Sequence, residues 1–93
     1  MKIIVNKEYG GFALSTEAVE LYEKYSGKEY NWVYIDRADK DLVKVVEELG
    51  SERSSGCFSK LKVVEIPNDS YYVLSDYDGM ETIYYSESKI YKV

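Results

Sequence analysis

The chain has 93 residues, of which 45% are hydrophobic and 31% are charged, and its formal net charge is −5. This length predicts one domain over residues 1–93 with one modest core, and the even spread of apolar residues excludes a disordered chain. The sequence contains no histidine and a single cysteine, which excludes Ser-His and Cys-His nucleophile pairs, histidine-bearing zinc sites and an internal disulfide framework.

The charge is unevenly distributed along the chain. Residues 63–88 contain six carboxylates and no Lys or Arg, whereas residues 1–62 contain ten basic and eleven acidic residues. Phosphates require basic neutralisation, so nucleic-acid binding by the C-terminal third is disfavoured. An acidic face of this kind is suited to a partner with a basic surface.

The first two elements are a strand and a helix. The β-branched run KIIVNK (2–7) predicts a buried strand. Ser15 or Thr16 can cap a helix that runs to about Ser26, and Gly27 is placed to end that helix.

The next pair of elements repeats this order. EYNWVYID (29–36) alternates in hydrophobicity and is rich in aromatic residues, which predicts a second strand. RADKDLVKVVEELG (37–50) predicts a helix with Asp39 as its N-cap and Gly50 as its stop.

Three strands are predicted in the remaining sequence. KLKVVEIP (60–67) carries apolar residues on both faces, which predicts a central strand, and SYYVLSD (70–76) is expected to pair with it as a hairpin. Asp78-Gly79 predicts a second hairpin turn before a strand over 80–87. The order β-α-β-α-β-β-β predicts an α+β domain with a mixed or antiparallel sheet of about four to five strands and two helices on one face.

The glycine pair between the first strand and the first helix is a candidate binding site. Gly10 and Gly11 permit positive φ, and exposed amides at a helix N-terminus attract phosphate or carboxylate. In this interpretation the Ser15 hydroxyl assists, and Tyr9 or Phe12 stacks on a nucleotide base. The alternative is a tight turn in which Tyr9 and Phe12 pack as a staple.

The only two arginines of the chain extend this hypothesis. Arg37 and the loop Arg53-Ser54-Ser55 could join the glycine turn to form a pocket for a small anionic ligand. Arg suits such a pocket better than Lys because its guanidinium can donate two hydrogen bonds to one anion. If these side chains point elsewhere, they are ordinary solvated residues.

The eleven tyrosines give a second candidate site. Strands favour Tyr for its shape alone, but Tyr is also enriched at protein interfaces. In the interface interpretation, the acidic and tyrosine-rich C-terminal hairpin binds a protein partner through five contact residues: Tyr71, Asp76, Tyr77, Asp78 and Glu81.

Two further segments carry side chains with chemical potential, a thiol in one and carboxylates in the other. Cys57 lies near Arg53 and Lys60 in the sequence, which is compatible with a reactive thiol or with a small buried or half-buried one. DYDGME (76–81) resembles a calcium loop, but aligning Gly79 with its glycine places Leu74 and Tyr85 where carboxylates are required. No metal or other cofactor is therefore predicted.

Four blocks of the chain resemble a family of small uncharacterised proteins encoded in bacteriophage and prophage genomes. The blocks are KIIVN with YGGFALSTEA, DLVKVVEELG, SGCFSKLKVVEIP and YDGME, which together run from Lys2 to Glu81. The tail YYSESKIYKV departs from the His-Arg-Thr-Trp-like ending of that family. The resemblance implies a phage or prophage origin and a role in binding a host protein or a small signal, but no reaction.

The sequence predicts a non-enzymatic binding protein of phage type that counters host defence by holding a small anionic ligand such as a nucleotide. The alternative is an acidic, Tyr-rich interaction module that inhibits a host protein with a basic surface. The start MKIIVNKEYGG lacks the apolar run of a signal peptide, which predicts the bacterial cytoplasm, and no membrane partner is expected. Tyr-rich strand edges also permit a homo-oligomer. An enzyme using Cys57 and a structural role in a virion remain open.

Overall fold

The computed structural model describes residues 1–87. These residues form two helices and four strands in one α+β fold, which confirms the predicted class. The elements are β1 (Lys2–Asn6), α1 (Thr16–Ser26), α2 (Lys40–Ser54), β2 (Leu61–Glu65), β3 (Ser70–Tyr77) and β4 (Met80–Glu87).

Local capping fixes both ends of α1 where the sequence predicts them. The Ser15 hydroxyl accepts a hydrogen bond from the Ala18 amide at 3.1 Å, which satisfies one of the unpaired donors of the first turn. Gly27 adopts a left-handed conformation with φ of 69°, and its amide donates to the Glu23 carbonyl.

The second helix begins as predicted but ends one turn late. Asp39 is its N-cap and accepts from the amides of Asp41 and Leu42 at 2.8 and 3.2 Å. Gly50 leaves the helical conformation, with φ of 82° and ψ of 168°, but a further turn follows to Ser54. The Ser54 hydroxyl donates to the Gly50 carbonyl at 2.7 Å, so this side chain stabilises the extra helical turn that follows Gly50.

The four strands form two antiparallel ribbons. β1 pairs with β2 and β3 pairs with β4. The predicted hairpin between 60–67 and 70–76 is therefore wrong. Asp69 adopts φ of 62° in the connection, and β3 leaves the β1–β2 ribbon to pair with β4 instead. Ile66 continues the first ribbon, since its amide donates to the Met1 carbonyl at 2.9 Å.

The β1–β2 ribbon lies between the helices and the β3–β4 hairpin. On one face, Ile4 and Leu61 pack with the buried residues of α1 and α2. On the other face, Ile3 and Val5 pack with Ile66 and with apolar residues of the hairpin. Burying each large aliphatic side chain contributes about 1.5–3 kcal/mol. Apolar residues occupy both faces of β2 because both faces are covered, although β2 is not a central strand.

The strand predicted over 29–36 is wrong, because this segment is an irregular loop. The Asn31 side chain accepts from the Val33 amide at 3.0 Å, and the Asn31 carbonyl accepts from the Tyr34 amide at 3.2 Å. Asn favours such local bonds over sheet pairing. The chain order is accordingly β-α-α-β-β-β.

Candidate functional site

The glycine turn is packed against the turn of the β3–β4 hairpin. Gly10 and Gly11 have φ of 123° and 101°. The Gly10 amide donates to the Asp78 carbonyl at 3.0 Å. A Cβ atom on Gly79 would lie 2.1 Å from the Gly11 nitrogen, so the two turns meet in direct backbone contact. The Gly10 amide, one of the expected anion ligands, thus has a partner inside the protein.

Arg37 binds a carboxylate of the same chain. Its Nη1 lies 2.6 Å from Oε1 of Glu81, and its Nη2 lies 2.8 Å from Oε2. The guanidinium also stacks on Phe12, with Cζ 3.6 Å from the ring centroid. Glu81 is 5% exposed and accepts from the Asn6 amide as well. Arg37, Phe12 and Glu81 therefore form one internal cluster, which holds Glu81 away from the surface.

Arg53 has a carboxylate partner of its own. Its Nη2 lies 2.5 Å from Oε2 of Glu17. This hydrogen bond, more than the accompanying charge attraction, lowers the pKa of Glu17. Both side chains are exposed, so solvent screens the attraction.

The predicted serines link α1 to the end of α2. The Ser15 hydroxyl donates to the Arg53 carbonyl at 2.6 Å, and the Ser15 amide donates to the Ser54 carbonyl at 2.9 Å. The Ser55 hydroxyl donates to the Ser51 carbonyl and accepts from the Leu61 amide. These hydroxyls are used in capping and in joining elements. The candidate ligand residues thus divide between a cluster around Gly10 and Arg37 and a second cluster around Ser15 and Arg53.

The β3–β4 hairpin has one packed face and one face in solvent. Alternation places Tyr72 and Leu74 on the packed face. Burial raises the pKa of Tyr72, and the nearby Asp36 raises it further. The opposite face, which we call the outer face, presents Tyr71, Val73 and Tyr77 from β3, each more than 60% exposed.

β4 adds to the same outer face. Tyr84 lies opposite Val73 and is 60% exposed. An antiparallel pair of this kind places both side chains on one face. Tyr71, Val73 and Tyr84 therefore form an exposed aromatic and aliphatic patch on the outer face, and the exposed polar pair Ser75–Thr82 separates this patch from Tyr77.

The hairpin turn carries two carboxylates at the surface. Asp78 and Gly79 both have positive φ, at 55° and 90°, as the Asp-Gly hairpin prediction requires. The Asp76 carboxylate accepts from the Gly79 amide at 2.7 Å and fixes the turn. Both Asp76 and Asp78 are exposed, so two negative charges lie at the tip of the hairpin, although Asp76 is on the side of β3 opposite to the outer face.

Several exposed side chains were not predicted as candidate site residues. Trp32 and Tyr34, at the tip of the 31–34 turn, are 74% and 82% exposed. Cys57 and Phe58 are also exposed. The expectation of a buried or half-buried thiol at Cys57 is wrong, because the loop before β2 turns this residue outward. The exposure of Trp32 and Tyr34 was not predicted because a strand over 29–36 would have one buried face.

Nothing in residues 1–87 forms a cluster of three or more carboxylate or thiol groups that could hold a metal ion. No helix within the same residues is long and apolar enough to cross a membrane.

Comparison with known proteins gives no match. No family model, curated protein or solved structure matches this chain.

Proposed function

We propose that this protein is a non-enzymatic interaction module that binds a basic surface of a partner protein through the outer face of its β3–β4 hairpin. The observation that supports this function is that three tyrosines and a valine are exposed on one face of the hairpin: Tyr71, Val73, Tyr77 and Tyr84. The resemblance to phage-encoded proteins suggests a bacterial host protein as the partner, met in the cytoplasm and inhibited by binding.

The residue types of the outer face favour an interface. Tyrosine supplies a large contact area with few rotatable bonds, and it is enriched among residues that dominate binding energy. Strand propensity alone would be met equally well by Thr, which would keep an exposed face polar. The presence of Tyr and Val at exposed positions of this face therefore favours a contact surface.

The charge of the hairpin favours a basic partner. Residues 63–88 contain no Lys or Arg, and Asp76 and Asp78 are exposed at the hairpin tip. Tyrosine rings attract cations through their faces, and carboxylates attract them over a longer range. A surface that combines both is complementary to exposed Arg and Lys side chains.

The small-anion hypothesis remains a prediction with less support. A ligand at Arg37 would have to displace Glu81, which already occupies the guanidinium with two hydrogen bonds. Calorimetric titration with mononucleotides and cyclic nucleotides tests this function. Binding heat that is lost in a Phe12→Leu variant would support the ligand function and would contradict our preference for the hairpin.

The interaction function is tested by capturing a partner from bacterial lysate, identifying it, and measuring its affinity for the purified protein. We expect a partner with a basic surface whose affinity falls as salt is added. The Asp76→Asn/Asp78→Asn double variant keeps the hydrogen-bonding shape of the turn but removes two charges. It should slow association by about three- to tenfold.

The matched control is Glu20→Gln/Glu52→Gln, which removes two charges from exposed positions on the helices. It should leave association within about twofold of the wild-type rate. A captured partner whose binding does not respond to salt, or responds equally to both double variants, would contradict the proposed function.

A further inference from the structure

The turn at residues 31–34, which we call the aromatic tip, presents three consecutive large side chains to solvent. Trp32, Val33 and Tyr34 are each more than half exposed. We propose that the aromatic tip binds a lipid surface by inserting these side chains between the lipid head groups and the upper acyl chains. This inference goes beyond the proposed function, because the tip lies outside the β3–β4 hairpin.

The aromatic tip projects from a base that is fixed to the core. On one side, the ring of Tyr30 packs edge-on against Tyr22 with the centroids 5.7 Å apart, and the Tyr30 amide donates to Oε2 of Glu23 at 2.8 Å. On the other side, Ile35 packs against the core between the helices and the β1–β2 ribbon. Both ends of the turn are anchored, so insertion costs little additional backbone freedom.

The backbone of the tip is suited to partial removal from water. Oδ1 of Asn31 accepts from the Val33 amide at 3.0 Å, and the Asn31 carbonyl accepts from the Tyr34 amide at 3.2 Å. Backbone donors that lack a partner are costly to bury in lipid. Two donors of the tip are therefore already satisfied before any lipid is met.

The residue types of the tip favour the interface between lipid and water. Trp and Tyr are enriched there because the ring is buried while the N–H or O–H group stays hydrated. Residues 30–35 carry no charge, whereas the exposed Glu29 and Asp36 flank them. These carboxylates stay in water, so we expect insertion to stop at the level of the head groups.

The size of the tip favours lipid over a protein surface. A specific protein interface usually involves about 20–30 residues a side, which is far more than this turn supplies. Lipid chains rearrange around a small protrusion and require no preformed pocket. Three side chains bury less apolar area than a myristoyl chain, which binds with a constant of about 10⁴ M⁻¹. We therefore expect weaker, reversible binding that is measured at millimolar lipid.

This mode of binding requires no helix that crosses the membrane. The expectation that no membrane partner is met rested on the lack of an apolar leader at the N-terminus. A leader of that kind directs a chain through a membrane, and its absence does not bear on the binding of a short turn to a lipid surface.

The experiment uses the whole protein, in which Trp32 is the only tryptophan, so tryptophan emission reports on the tip directly. The protein is titrated with vesicles of phosphatidylcholine. We expect the emission to move to shorter wavelength, and phosphatidylcholine brominated on the upper acyl chain should quench it. Both effects should persist at high salt, because apolar contacts are not screened.

Two double variants separate the tip from other exposed apolar residues. Val33→Ser/Tyr34→Ser keeps the Trp32 reporter and should weaken vesicle binding by about five- to thirtyfold. The matched control is Val73→Ser/Tyr77→Ser, which removes the same two residue types from exposed positions of the outer face. It should bind vesicles within about twofold of the wild type. Circular dichroism checks that both variants are folded.

Four results would overturn the proposal: emission that vesicles leave unchanged, a shift without quenching by the brominated lipid, a shift that high salt abolishes, or equal losses in the two double variants. Emission that changes with a captured protein partner but not with vesicles would also overturn it, and would assign the tip to a protein interface. The proposed function of the hairpin is tested separately by Asp76→Asn/Asp78→Asn, so the two can fail independently.

Discussion

Arg37 and Glu81 form a bidentate ion pair that joins the loop before α2 to β4. The two N–O distances are 2.6 and 2.8 Å, and the side chains are only 18% and 6% exposed. Oε1 of Glu81 also accepts from the Asn6 amide at 2.8 Å. One carboxylate therefore holds together the loop, β1 and the hairpin that carries the candidate interface.

Glu81→Gln should destabilise the fold. The amide cannot complement the guanidinium as two carboxylate oxygens do, so Arg37 loses its charge partner in a largely buried site. Breaking a buried pair from one side is strongly destabilising, and partial exposure of Arg37 reduces the effect, so we expect a loss of about 2–4 kcal/mol. Urea unfolding followed by circular dichroism measures the change.

The matched control is Glu17→Gln, which breaks the ion pair with Arg53 in the same way. Because both of these side chains are exposed, the unfolding midpoint should fall only slightly, and much less than in Glu81→Gln. Equal shifts of the midpoint in the two variants would show that the Arg37–Glu81 pair has no special structural role.

The helices were predictable from sequence because their signals are local. Ser15 and Asp39 cap the helices that follow them through bonds to amides two or three residues away. Gly27 ends α1 with its own backbone conformation. The Asp78-Gly79 turn is equally local, and it was predicted for the same reason.

The strand pairing and the ligand cluster depend on distant residues. The pattern of 29–36 cannot show that Asn31 closes a turn, or that the Arg37 carbonyl accepts from the Ile4 amide 33 residues before it. Similarly, Glu81 is one of six carboxylates in its segment. No local pattern distinguishes it as the partner of Arg37. Long-range pairing is set by the whole core and therefore could not be predicted from one sequence.

Gly79→Ala should destabilise the protein more than Gly27→Ala. Both glycines have positive φ, at 90° and 69°, so both substitutions cost about 1–2 kcal/mol of backbone strain. At Gly79 the added Cβ would also collide with the Gly10 and Gly11 backbone, whereas nothing lies within 4 Å at Gly27. The collision should add about 1–3 kcal/mol.

Thermal or urea unfolding of the two alanine variants gives this difference directly. Nearly equal losses would mean that the glycine turn and the hairpin turn separate without cost. In that case the Gly10 amide would be accessible to a ligand, and the small-anion hypothesis would gain support.

Arg53→Gln should return the pKa of Glu17 toward its ordinary value of 4.5. The hydrogen bond from Arg53 is the main cause that lowers this pKa in the folded protein. A lowered carboxyl pKa contributes stability above the unfolded value, and this contribution is lost as the pH falls through the folded value. The difference in melting temperature between the wild type and Arg53→Gln should therefore shrink as the pH falls below about 4.

Carbon-13 NMR titration of the Glu17 carboxyl measures this pKa. Lys24→Gln is a suitable control because it removes another exposed cation from the same helix and should leave the pKa of Glu17 unchanged. A melting difference that is constant from neutral to acidic pH would contradict the predicted coupling.

Tyr30→Phe should maintain or increase the stability of the protein. The Tyr30 hydroxyl is buried and has no hydrogen-bond partner within the described part of the chain, while its ring packs edge-on against Tyr22 at 5.7 Å. Removing an unpaired buried hydroxyl should gain up to about 1 kcal/mol. Tyr22→Phe is the control. Burial is the main cause that raises the pKa of Tyr22, and the nearby Asp39 raises it further. The Tyr22 hydroxyl therefore lies near a carboxylate. Removing the hydroxyl in Tyr22→Phe should lower the stability by about 1 kcal/mol.

Tyr30→Phe should also change how the stability of the protein depends on pH in the alkaline range. Burial is the main cause that raises the pKa of Tyr30 above its ordinary value of 10.0. The neutral phenol is therefore favoured in the folded state, and its contribution is present below about pH 10 and lost as the pH rises above that value. When the pH is raised from neutral to above 10, the urea midpoint should fall less in Tyr30→Phe than in the wild type. The opposite outcome is a Tyr30→Phe variant that is less stable than the wild type at neutral pH and whose urea midpoint falls as much as that of the wild type at alkaline pH. That outcome would show that the hydroxyl of Tyr30 is hydrogen-bonded.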